Sequence, residues 1–127
     1  EGAQNHIDIG LAQLYRRVVF NVMTGNRDDH LRNHGFIRTA TGWHLAPAFD
    51  MNPNPHKADH ALTLDGNLAA PNLSAVRNTA ELYRLTATEA LAIENEVRVS
   101  VANWKASAVR LNLPRSEILT MANVIMQ

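Results

Sequence analysis

Residues 20–36 read FNVMTGNRDDHLRNHGF, and they join two kinds of sequence. On the left an apolar helical pattern runs into Gly25. On the right Asn26, Arg27, Asp28, Asp29, His30, Arg32, Asn33 and His34 crowd the chain before Gly35. Glycine readily takes the left-handed conformation that ends helices, so a helix stop is predicted at Gly25. The two glycines then bracket a loop with far more titratable chemistry than a connection needs. Loops of this kind, set on a rigid scaffold, are where function concentrates.

Working upstream, Leu11, Leu14, Tyr15, Val18, Val19 and Val22 follow the spacing of an amphipathic helix over 9–24, with Asp8 as its N-cap. Downstream, FIR and WHL flank TATG, which predicts a small β-hairpin between Gly35 and Leu45. Residues 46–60, APAFDMNPNPHKADH, hold three prolines and neither periodicity, so they read as an extended loop. HALTLDG, 60–66, then reads as a brief strand or extended segment ending in an Asp-Gly turn.

The second half is plainer. Leu73, Val76, Ala80 and Tyr83 mark a helix of about 72–85, entered through Pro71 and Asn72. Thr86 and Glu89 form a T-x-x-E capping box. Ala90, Val97, Val101, Trp104, Ala108 and Leu111 then line the buried face of one long helix. Pro114 suits the first turn of a last helix. The expected fold is mainly α with a small antiparallel β-hairpin. It forms one domain over 1–127, with a chemical loop region at 24–60 and a helical subdomain at 72–127.

Composition narrows the function. Lys plus Arg equals Asp plus Glu at 12 each, so no global charge draws the surface to nucleic acid or an anionic membrane. The chain has no cysteine, which excludes disulfides, zinc–thiolate sites and thiol nucleophiles and fits a reducing compartment, the cytoplasm by default. No apolar run approaches the roughly 18 residues of a membrane span. All six histidines and all six aspartates lie between His6 and Asp65, while five of six glutamates follow residue 80. The chemistry is therefore expected in the first half.

Spacing gives that chemistry an order. Asp28 is followed by Asn33 and, beyond the hairpin, by Asp50. In kinase-type phosphoryl transfer a loop Asp meets the acceptor hydroxyl, an Asn shortly after binds magnesium, and a later Asp binds metal as well. Mg²⁺ takes hard oxygen ligands and few carboxylates, leaving positions for phosphate. Asn33 and Asp50 suit that task, and Asp28 suits the hydroxyl.

FNVMTGNRDDHLRNHGF followed by GWHLAPAFDMNP resembles the catalytic region of HipA-type serine/threonine kinases, toxins of bacterial toxin–antitoxin pairs. The D-x-H-x-x-N pattern of Asp28, His30 and Asn33 is also similar to the catalytic loop of phosphoinositide kinases. The resemblance covers nearly the whole chain, with its specific motifs in 20–53. It implies the C-terminal helical lobe of a protein-kinase-like, HipA-like fold. It further implies Asp28 as catalytic base with His30 beside it, Asn33 and Asp50 as Mg²⁺ ligands, and ATP as phosphoryl donor. Implied partners are a protein substrate, such as an aminoacyl-tRNA synthetase or another translation protein, and a helix-turn-helix antitoxin, with no direct nucleic acid and no membrane.

Two features depart from kinases at large. Met51 and Asn52 follow Asp50 where eukaryotic protein kinases have Phe and Gly. The six glycines are never closer than seven residues apart, so neither G-x-G-x-x-G nor G-x-x-x-x-G-K occurs. Of the two lysines, Lys57 lies in the Pro-rich loop and Lys105 in the long helix. The expectation is a fragment whose N-terminal lobe lies upstream of Glu1 and which has little or no activity alone.

The neighbouring residues carry plainer expectations. Asp29 reads as a solvated or capping neighbour, His30 as a shaper of the loop or a phosphate contact, and His44, His56 and His60 as surface or hairpin residues. Arg27 and Arg32 read as a solvated face or as phosphate contacts. Trp43 and Phe49 read as packing for the hairpin and loop, and Trp104 as core. Two other functions compete with the kinase: a metal-dependent phosphohydrolase using Asp28, His30, His34 and Asp50, and a non-catalytic partner-binding domain.

Overall fold

A computed structural model describes residues 2–67 and 70–126. The order is a long helix, a hairpin, an irregular loop region and a set of shorter helices. Helix α1 runs Gly2–Thr24, farther toward the N-terminus than its apolar stripe. Asp8 therefore lies inside the helix and does not cap it; its carboxylate pairs with Arg84 at 3.0 Å. Tyr15, Val19, Val22 and Met23 form its buried stripe.

The helix ends where the sequence expects. Gly25 sits at φ +71°, and the Asn26 N–H donates to the Asn21 carbonyl at 2.9 Å, the closing bond of a Schellman motif. A Cβ at Gly25 would lie 3.0 Å from both the Val124 side chain and its carbonyl oxygen. Glycine is thus required by conformation and by space.

Strands β1 (Phe36–Thr39) and β2 (Gly42–Leu45) pair antiparallel, with Phe36 opposite Leu45 and Thr39 opposite Gly42. The hairpin lies along α1, where the His6 and His44 rings meet edge to face at 4.7 Å. Trp43 and Phe49 were expected to pack here, yet they are 63% and 49% exposed. Trp43 borders a cavity of about 180 Å³ beside Ile7, Leu11 and Leu14 of α1, so its ring meets the helix without being covered, and Phe49 follows the hairpin in the loop that carries Asp50. HALTLDG forms bends and no strand, although its turn is present, with Asp65 Oδ1 accepting from the Asn67 N–H and Gly66 at φ +90°.

Helix α2 (Leu73–Asn78) is capped by Asn72, whose side chain accepts from the Ala75 N–H at 3.0 Å. The single helix expected over 72–85 is divided here. The Thr79 hydroxyl donates back to the Val76 carbonyl, and a 3-10 turn, Ala80–Tyr83, completes the segment. The Thr86–Glu89 capping box is formed as read and opens α3 (Ala87–Ala102). The expected long helix breaks at Asn103 and resumes as α4 (Trp104–Arg110), which leaves Leu111 exposed. Pro114 precedes α5 (Arg115–Met121) as its N-cap.

Apolar residues of α1, α2, α3 and the C-terminal segment share one core, with Trp104 packed against its edge. The Met126 N–H donates to the Met23 carbonyl at 2.7 Å, so the chain's end closes over the end of α1. Glu94 is buried at 2% exposure, gripped by Arg77 from α2 through three hydrogen bonds and by Arg98 one turn on. No helix among the described residues is long and apolar enough to cross a membrane.

Candidate functional site

The polar loop leaves the end of α1 and crosses to a 3-10 turn at Leu31–Asn33. That turn brings the amide of Asn33 inward, where it is 7% exposed. Asn33 Oδ1 accepts from the His30 backbone N–H at 2.9 Å, and Asn33 Nδ2 donates to Asp50 Oδ2 at 2.8 Å. An N–H on one side and a carboxylate on the other fix which way the amide points.

Asp50 arrives from the loop after the hairpin, whose start is tied down by the Ala46 N–H donating to the Gly35 carbonyl at 2.8 Å. Its backbone is left-handed at φ +55°. That conformation costs a non-glycine residue about 1–2 kcal/mol, less for Asp than for most. The turn it makes directs the carboxylate at Asn33. Asn52 Nδ2 donates to the other oxygen, Oδ1, at 3.3 Å.

Asp28 lies on the exposed side of the same loop. Its Oδ1 pairs with the Lys57 ammonium and stands 3.3 Å from His30 Nε2. The Lys57 hydrogen bond and charge, with a smaller contribution from His30, hold the Asp28 carboxyl below its ordinary value. The carboxylate is therefore ionised at neutral pH, and its lone pairs are free to accept hydrogen bonds. Lys57, Asp28, His30, Asn33, Asp50 and Asn52 form one continuous polar chain.

A second cluster lies beneath it. Asp29, expected in solvent, is turned inward with its side chain 14% exposed. It accepts from Asn21 Nδ2 at 2.9 Å and meets His34 Nε2 at 3.0 Å. Asn21 Oδ1 in turn accepts from Asn26 Nδ2 at 3.0 Å. His60, expected near the surface, is 8% exposed and faces a small cavity of about 60 Å³ with Asn21, Asp29 and Tyr83. Burial holds its pKa below the ordinary imidazole value, against a hydrogen bond to the Asn26 backbone.

The structure thus brings Asn33 and Asp50 together and joins Asp28 to them through His30. His34 turns to Asp29 and away from that group. Among the described residues no group of three or more His, Asp or Glu is arranged to hold a metal. His34 bonds Asp29 and is not joined to Asp28, His30 and Asp50, the other residues of the phosphohydrolase reading. The two oxygen donors of Asn33 and Asp50 suit Mg²⁺, which fills most positions with water and phosphate. The Asn33 oxygen, bonded once, keeps a lone pair for it.

Sequence reading missed Lys57, Asp29 and Asn21. Asn21 left a signal, a lone amide in the last turns of an apolar stripe. Lys57 left only its place in a proline-stiffened loop. Of the arginines, Arg27 donates to the Lys57 carbonyl and Arg32 is exposed on the 3-10 turn.

Comparison with curated proteins and with solved structures gave no match. A family model, the HipA-like C-terminal domain, matches residues 2–122 and so takes in the whole polar chain and the helices behind it. This chain belongs to the HipA family through that C-terminal domain.

Proposed function

We propose that these residues form the C-terminal catalytic lobe of a HipA-like serine/threonine protein kinase that transfers phosphate from MgATP to a protein hydroxyl. The observation that carries this reading is the 2.8 Å contact of Asn33 with Asp50 in a polar chain that reaches Asp28. Asp28, ionised and exposed, orients the acceptor hydroxyl and takes its proton. Asn33 and Asp50 hold Mg²⁺, which neutralises phosphate oxygens when bound. His30 has two tasks: its ring steadies Asp28 and its backbone N–H fixes the Asn33 amide. The transition state is loose, so alignment and charge neutralisation are what the protein must supply.

The 127 residues contain no glycine-rich phosphate loop and no strand-borne lysine for ATP. In this reading those parts come from another lobe, and the isolated chain has little or no activity. The cytoplasm is the proposed compartment. A translation protein such as an aminoacyl-tRNA synthetase is the proposed substrate class, and a helix-turn-helix antitoxin the proposed partner. The test is phosphoryl transfer by the full-length protein with MgATP. Asp28→Asn should lower the rate by about 10²–10⁴-fold with the fold intact, and Asp50→Asn should weaken Mg²⁺-dependent nucleotide binding. Wild-type rates in both variants would defeat the assignment. No transfer by the wild-type protein would favour a partner-binding domain.

A further inference from the structure

Lys57 is one of two lysines in the chain and lies in the irregular segment NPNPHKADH, residues 52–60. That segment is stitched to the polar loop on both sides of Lys57. The Asn54 N–H donates to the Gly25 carbonyl at 2.8 Å, and the Ala61 N–H donates to the Arg27 carbonyl at 3.0 Å. Between them the Arg27 guanidinium donates to the carbonyl of Lys57 itself. The Asn54 side chain also accepts from the His56 N–H at 3.0 Å, tightening the turn before Lys57. These backbone ties leave the lysine stem one short course, and it ends with the ammonium on Asp28 Oδ1.

Stability does not account for the arrangement. The two side chains are 44% and 53% exposed, and exposed pairs contribute about 0–1 kcal/mol. Among the described residues no other lysine or arginine forms an ion pair with Asp28. Arg27 donates to the Lys57 carbonyl and Arg17 to the Ala46 carbonyl. The segment thus delivers one point charge to the carboxylate that, in the kinase reading, receives the acceptor hydroxyl.

We propose that Lys57 is a further catalytic residue, its ammonium contacting the phosphoryl group in flight while Asp28 takes the hydroxyl proton. The inference rests on the kinase reading above and adds a group outside its Asp28, Asn33, Asp50 set. In the step, the bond from the acceptor oxygen to the γ-phosphorus forms and the bond from that phosphorus to the β,γ-bridging oxygen breaks. The hydroxyl proton passes to Asp28, and nucleoside diphosphate leaves. Lys57 keeps all three of its protons. Three donors let the ammonium hold a carboxylate oxygen and a phosphoryl oxygen together. Its contribution is electrostatic and strongest when charge spreads over the equatorial oxygens.

The experiment measures steady-state transfer by full-length wild type, Lys57→Met, Lys57→Arg and Asp28→Asn with MgATP, with thermal unfolding of each. Lys57→Met should lower kcat by about 10²-fold, change KM for ATP far less, and leave the melting temperature near wild type. Lys57→Arg should recover most of the rate. Wild-type or faster transfer by Lys57→Met overturns the inference, as does a rise in KM alone. If Lys57→Arg is as slow as Lys57→Met, charge is not the cause and the inference falls. The two readings fail differently: an active wild type disabled by Asp28→Asn but indifferent to Lys57→Met removes only Lys57. A wild type without transfer, or one indifferent to Asp28→Asn, removes the kinase and Lys57 with it.

Discussion

Asp29 and Glu94 are both carboxylates turned away from solvent, and they are held in opposite ways. Glu94 sits among helices and is gripped by two guanidinium groups, Arg77 and Arg98. Asp29 sits under the polar loop and meets an amide and an imidazole, Asn21 and His34. Around Glu94 the chain is closed by apolar packing of α1, α2 and α3. Around Asp29 it is closed by hydrogen bonds between loops, such as Asn54 to Gly25 and Ala61 to Arg27. The helical half is stabilised mainly by area removed from water, while the loop half is positioned mainly by directional polar bonds. The first kind of bonding gives a scaffold; the second gives precise placement of functional groups.

The largest stability effect should come from the helical side. Arg77→Ala leaves Glu94 buried with Arg98 as its remaining guanidinium partner, and removing a partly exposed guanidinium and its three hydrogen bonds from a buried carboxylate costs about 2–3 kcal/mol. Chemical unfolding should record this loss as one cooperative shift of the whole domain, because Arg77 joins α2 to α3. A change below about 1 kcal/mol, typical of exposed pairs, would mean that the helical half does not depend on this clamp.

Asp29→Asn should cost less overall and act more locally, about 2 kcal/mol. Asn21 and His34 both bond the same oxygen, Oδ2, so the new amide keeps one acceptor there but puts an N–H₂ group in place of the charged Oδ1 that stands 3.0 Å from His34 Nε2. Hydrogen exchange should rise at 26–34 while protection in α3 stays near wild type. In the full-length protein the proposed transfer should fall while α3 stays folded. Equal deprotection of the loop and α3 would erase the distinction between the two halves.

That contrast also explains how much could be read in advance. Period and capping are local signals, so the stop at Gly25, the hairpin, the helix start at Asn72 and the Thr86–Glu89 box are legible in the residues themselves. The misreadings come from tertiary context. Asp8 resembles an N-cap but serves as a partner for Arg84, and Thr79 and Asn103 divide helices that the apolar stripe carries through. Asn33 and Asp50 were legible as a pair because their chemistry and order are specific. Their contact depends on the left-handed turn at Asp50, which no local pattern announces. Lys57 and Asp29 were illegible because their positions follow from loop-to-loop bonds across 29 residues for the Lys57–Asp28 pair and from the direction one carboxylate turns.

The smallest effect separates the halves by pH. His60 is buried against the polar loop, and burial lowers its pKa in the fold; Arg27 adds to this, while the Asn26 backbone, Asp29 and Asp59 oppose it. Below the unfolded value of about 6.5 the unfolded chain takes up a proton that the folded chain resists. Stability should therefore be fully present above that pH and fall as pH drops toward the folded value, with no further loss from this group beneath it. One proton bounds the slope at about 1.4 kcal/mol per pH unit. His60→Gln cannot titrate, so the difference between wild-type and variant stability should narrow or reverse by about 1 kcal/mol between pH 7 and 5.5. Parallel pH curves would mean that His60 is as easily protonated in the fold as outside it. The loop half would then admit water at a residue buried beneath it.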